Sequence, residues 1–451
     1  MESSAEKQFK MMTETPINRL IPRLAVPTVI SMLITVIYNM ADTYFVSKIN
    51  VSASAATGVL LSLMGLIQAF GFMFGQGAGS NISRRLGAKD VESARKYSST
   101  AYFTALVIGV VIMVFGLIFI NQLIDLLGST PTIHPYAVSY GRWILIAAPA
   151  MTTSFVMNNI LRFEGMAKFA MVGLLIGGLL NIALDPLLIF VFELGIAGAG
   201  IATCVSQFTG MAILFTVFLR KKTQSRIRPK YFSFEKRIMA DIVTVGLPSF
   251  ARQGLSSFST MVLNIQAQPF GDECIAAMSI VGKIGMFIFS FCLGIGQGFQ
   301  PVCSFNFGAK LYERVRESIK FLLKFGTIII AIIAAICFVF APQLVMLFRK
   351  DTEVVEIGTA ALRFTCVAML FMPIVMTGNM TFQSIGRAAK AFFLSCCQNG
   401  LVFIPLILIL PRFIGVIGIE LSQPLAFIVS AFIAGPMINK FLKELKQKND
   451  G

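Results

Sequence analysis

Long apolar runs recur along this chain from near residue 24 to near residue 439, separated by short polar connections. Stretches such as Tyr102–Ile120, and Ile328–Ala341 with its flanks, reach the roughly twenty residues a helix needs to cross a hydrocarbon layer of ~30 Å. The chain is 56% apolar and 13% charged with a mean hydropathy of +0.78, so it has too little polar surface to wrap those runs in water. A transmembrane barrel would instead show alternating strands of about ten residues, a pattern this sequence does not contain. The expectation is an all-α polytopic membrane protein.

Twelve spans are expected: 24–46, 57–79, 98–120, 138–162, 169–192, 196–219, 240–266, 276–303, 320–341, 358–382, 391–411 and 415–439. Their connections alternate in charge. Arg84, Arg85, Lys89, Arg95 and Lys96 follow the second span, whereas 121–137 carries Asp125 and no Lys or Arg. Arg162 and Lys168 flank the next even connection, and Arg220–Arg237 contains eight basic residues. By the positive-inside rule these basic connections face the cytoplasm, which places both termini there. The polar start, Met1–Arg23, lacks the short apolar stretch and cleavage site of a signal peptide.

A shift of 221 residues superposes the two halves of the sequence. It carries Pro27 onto Pro248, Gly75-Gln76-Gly77 onto Gly296-Gln297-Gly298, and Asn158 and Gly165 onto Asn379 and Gly386. After one deletion the shift becomes 220, pairing Gly195 and Gly198 with Gly415 and Gly418. Units of six spans insert with one orientation, so the expected plan is two six-helix bundles related by a pseudo-two-fold axis along the membrane normal, as in secondary transporters. The corresponding division is an N-terminal lobe over 1–219, a basic cytoplasmic linker over 220–239 and a C-terminal lobe over 240–451.

Several function classes are disfavoured. The net charge of +16 is spread over the loops rather than gathered on one face, which argues for membrane topology and against a nucleic-acid partner. The eight cysteines form no CxxC pair, and the lone His134 falls in an expected loop, so no metal-ligand pattern arises. A membrane-embedded enzyme lacks a nucleophile motif, and an ATP-driven pump lacks the phosphate loop.

The informative residues are acids inside apolar spans. Asp42 lies about four residues before the outer end of the first span and Asp185 about seven before that of the fifth, which puts both ~6 to 11 Å below the outer surface. Burying a carboxylate there costs roughly 2.5 to 3.5 kcal/mol on insertion scales, less toward the interface. Asn181 precedes Asp185 by one helical turn, and Thr203 reaches a similar depth on the descending sixth span. Such oxygens can coordinate Na⁺, and paired carboxylates can share a proton; a purely structural hydrogen-bond network is the alternative. Pro27 lacks a backbone donor and bends the helix that carries Asp42. The repeat places leucines, Leu263 and Leu406, where partners of Asp42 and Asp185 would fall, so coupling is expected in the first half.

The segments Ala25-Val26-Pro27, Tyr38–Val46, Ser83–Lys89 and Asn181–Phe190 resemble the multidrug and toxic compound extrusion (MATE) transporters, on their bacterial DinF/MepA-like branch. The resemblance implies a cavity-forming pair of six-helix bundles in the bacterial inner membrane. It implies a monomer that exports organic, cationic compounds in exchange for H⁺ or Na⁺, with no other cofactor. It carries the cation site onto Asp42, Asn181, Asp185 and Thr203, with Tyr38 and Asn158 nearby. A flippase of lipid-linked substrates with a related fold is the competing expectation.

Overall fold

The structure is a computed structural model and describes residues 4–220 and 222–450. Lys221 of the expected basic linker, and the extreme ends of the two expected lobes at residues 1–3 and 451, lie outside the described residues. Among the described residues all regular structure is helical, with helices at every expected span. Among the described residues, ten helices are long and apolar enough to cross a membrane, and an eleventh if the pair Thr352–Met369 and Met372–Ser384, bent by 49°, counts as one. The helix at the remaining expected span, 240–266, runs Lys236–Ala267 over 32 residues, but Arg252, Gln253, Ser256, Ser257 and Thr260 dilute its apolar character.

The helices overrun the expected ends. The second span is expected over 57–79 but runs Val51–Gly87, because hydropathy marks the apolar middle whereas helix ends are set by capping. Asn50 accepts the Ala53 N–H at 2.7 Å to start that helix, and Arg84 and Arg85 occupy its last turn, where cations complement the helix dipole. His134 is not a loop residue: it opens the helix His134–Phe163, with Nε2 3.4 Å from Asp125 Oδ1.

The duplication is visible in the backbone itself. Lys89 and Lys310 share left-handed φ values of 61° and 59°, as do Gly165 and Gly386 at 77° and 80°. A left-handed conformation at lysine costs roughly 1–2 kcal/mol, so its recurrence at both positions reflects the same turn built twice. The side chain of Asn158 donates to the Ala170 carbonyl at 2.9 Å, and that of Asn379 to the Ala391 carbonyl at 2.8 Å.

By packing, the chain divides into one unit of Met1–Gln8 with Ile30–Phe250 and another of Phe9–Val29 with Ala251–Gly451. The expected lobes, split near 220–239, differ from these units. The division falls inside the helices Ile17–Ser47 and Lys236–Ala267, two residues after Pro27 and two after Pro248. In the first unit the early part of the seventh helix is held by glycine: a Cβ on Gly246 would lie 1.9 Å from the Met73 carbonyl oxygen. The expected linker is also fastened to this unit. Arg228 and Ser233 donate backbone N–H groups at 3.1 Å to Ser99 and Thr100, and Arg95 donates to the Gln224 carbonyl at 3.2 Å.

Candidate cation site

The first unit brings four expected residues into one buried cluster. Asp185 is fully buried, one turn after Asn181, on the helix Ala167–Pro186. The Asn181 amide Nδ2 lies 3.4 Å from Asp185 Oδ1 and 3.3 Å from Thr203 Oγ1, so it donates to both neighbours. Thr203 comes from the sixth helix, Gly195–Leu219. Asp42 comes from Ile17–Ser47, is 8% exposed and lies within electrostatic reach of Asp185.

Local backbone irregularity helps to place these groups. After Asp185 and Pro186 the helix widens into a π-helical segment, Leu187–Val191, a distortion that recurs at functional sites because it re-aims side chains. The sixth helix closes on this segment through Gly198, where a Cβ would sit 2.7 Å from the Leu188 carbonyl oxygen.

Sequence reasoning missed Tyr140. Its hydroxyl donates to Asp42 Oδ2 at 3.1 Å from within the buried helix His134–Phe163. The available signal was a phenol in an otherwise apolar run, since a buried Tyr hydroxyl requires a partner. Gln207, also missed, pairs with Tyr38. Both line a cleft of about 530 Å³, counted with its open mouth, together with Ser154, Asn181 and Thr203.

Asn158 stands apart from this cluster. Its amide is committed to the Ala170 carbonyl at the junction of the fourth and fifth helices. Pro27 is buried within the first helix, fifteen residues before Asp42.

Three buried oxygens of the cluster have no hydrogen-bond partner among the described residues: Asp42 Oδ1, Asn181 Oδ1 and Asp185 Oδ2. Unpaired buried acceptors are costly. Two carboxylates, an amide oxygen and hydroxyls form a hard, anionic donor set that suits a proton or Na⁺ and offers no soft ligand for a transition metal.

Comparison with known proteins identifies the family and the fold. The MatE family model matches twice, over residues 27–187 and 248–409, and the second match begins 221 residues after the first, the offset of the sequence repeat. The chain is 28% identical over 430 residues to the multidrug export protein MepA of Staphylococcus haemolyticus, covering 95% of each. It is 26% identical over 431 residues to MepA of Staphylococcus aureus strain MSSA476, again over 95% of each. A multidrug-resistance MATE transporter of the MOP superfamily, solved in an outward-facing conformation, superposes with a TM-score of 0.92 at 28% identity, over 98% of this chain and 99% of that one. With the family model matched over well over half of its length, this multi-pass membrane protein belongs to the MATE family of multidrug transporters.

Proposed function

We propose that the protein exports organic cations across the bacterial inner membrane in exchange for H⁺ or Na⁺ bound at Asp42, Asn181, Asp185 and Thr203. The observation that carries this reading is the set of three unpartnered buried oxygens on the neighbouring residues Asp42, Asn181 and Asp185 of the first unit. An entering proton or Na⁺ removes the cost of those unpaired acceptors and of the uncompensated charge. Export then follows if ion and drug favour different conformations, because a ligand shifts an equilibrium only by its differential affinity for the states. The basic connections support cytoplasmic termini. The acidic cluster beside the cleft supports cationic substrates, and no cofactor besides the coupling ion enters this reading. We take the working unit to be a monomer.

Efflux from proteoliposomes under imposed gradients tests this reading. Export of a lipophilic cation should follow ΔpH or a Na⁺ gradient and proceed without ATP. Transport that requires ATP, or that ignores both gradients, refutes it.

A further inference from the structure

The second unit carries an acid that the repeat does not predict. Glu420 lies one turn into the last helix, Val416–Asp450, and is 5% exposed. Among the described residues no hydrogen bond or ion pair reaches its carboxylate, and it is near the buried thiol of Cys274.

The repeat explains how a carboxylate fits there. Gly200 is the counterpart of Glu420 at the 220-residue register, and in the first unit a Cβ on Gly200 would lie 2.9 Å from Trp143 Cβ and 3.2 Å from the Tyr140 carbonyl. The counterpart of Tyr140 is Ala361, and that of Asp42 is Leu263. The first unit thus has a phenol on its fourth helix and an acid on its first. The second unit has a small residue on the helix Thr352–Met369 and an acid on the last helix, which packs against it.

Charged groups on three neighbouring helices are exposed or half-buried. Glu353, Glu356 and Arg363 on Thr352–Met369 are exposed, with Arg363 over the Phe338 ring. Arg412 on Phe403–Ile414 is exposed as well. On the helix Asp272–Gly308, Asp272 is exposed and Glu273 is half-buried, and Cys274 is the titratable group that reaches Glu420. A buried carboxylate with no cationic partner is stabilised by taking up a proton, the one ligand that requires no cavity.

We propose that Glu420 is a proton-binding site of the second unit, distinct from the Asp42–Asp185 cluster, and that it contributes to coupling. The coupling half of this statement rests on the ion-driven export proposed above; the proton-binding half does not.

Two measurements on the full-length protein in proteoliposomes test it. Dicyclohexylcarbodiimide, which modifies protonated carboxyl groups in apolar surroundings, should form an adduct at Glu420. The adduct should form faster at about pH 6 than at about pH 8, since only the neutral acid reacts. Glu420→Gln should lower ΔpH-driven export of tetraphenylphosphonium at least about ten-fold, with Glu420→Asp restoring most of it. Absence of the adduct at both pH values overturns the proposal, as does native export by the Gln variant. If that variant does not reach the membrane, labelling of the native protein decides. Labelling without export driven by either ΔpH or a Na⁺ gradient in the native protein sinks the antiport reading and leaves the proton site standing.

Discussion

Tyr140 and Asp42 meet across 98 positions of sequence, the phenol donating to Oδ2 at 3.1 Å while Oδ1 has no partner among the described residues. One oxygen of the carboxylate is therefore held and the other left for an incoming ion. Removing the donor by Tyr140→Phe costs a hydrogen bond to a charged group, on the order of 1–2 kcal/mol. Ion-driven efflux should fall by roughly ten-fold, with the protein still inserted. Native efflux by the Phe variant would show that the phenol only fills space.

Asp42→Asn and Asp185→Asn keep the size and most hydrogen-bonding capacity of the side chains but remove the charge. Each should abolish gradient-driven efflux without reducing the amount of folded protein in the membrane. Glu313→Gln is the control, because Glu313 sits in an exposed pair with Arg316 at 3.2 Å, a type worth ~0–1 kcal/mol. Normal transport by both Asn variants would make the acids structural.

The acids were legible because charge inside an apolar run is conspicuous. Asn181 and Thr203 followed from helical spacing and depth. Tyr140 was hidden because an aromatic residue in a buried span satisfies the apolar pattern whatever its hydroxyl does, and Glu420 because it lies close enough to a span end to resemble an interfacial residue. The helix ends were misjudged where polar capping residues extend the helices past their apolar middles. The packing division inside the helices Ile17–Ser47 and Lys236–Ala267 has one shared sequence signal, the proline two residues before it, at Pro27 and Pro248.

Glu164, just past the fourth span, anchors the basic connection. It is fully buried, accepts the backbone N–H groups of Gln224 and Ser225 at 3.0 Å each, and takes the Ser225 hydroxyl as well. Burial pushes its carboxyl from near 4.5 up to about 7, against the lowering effect of those backbone donors. A group that binds its proton more tightly when pinned stabilises the pinned form at low pH. Anchoring is thus strongest below about 4.5 and fades as pH rises through about 7. Hydrogen exchange at Gln224 and Ser225, corrected for intrinsic rates, should quicken across that window in the native protein. In Glu164→Gln it should not depend on pH; an unaltered pH profile in that variant would assign the effect elsewhere.

Pro27 sits inside the helix that carries Asp42, two residues before the point at which that helix passes from one packing unit to the other. Proline removes a backbone donor and crowds the preceding turn, at a cost of about 3 kcal/mol relative to alanine in a regular helix. A change of charge at Asp42 alters its interactions with Tyr140 and Asp185, and a helix weakened at Pro27 is the element able to relay that change by bending. Pro27→Ala restores the missing N–H and favours a straight helix. Binding of Na⁺ or H⁺ should persist in this variant, because Asp42, Asn181, Asp185 and Thr203 are untouched, while the rate of exchange falls. The comparison to make is ion binding beside substrate efflux in the same preparation: unchanged efflux rejects the linkage, and loss of both functions identifies misfolding.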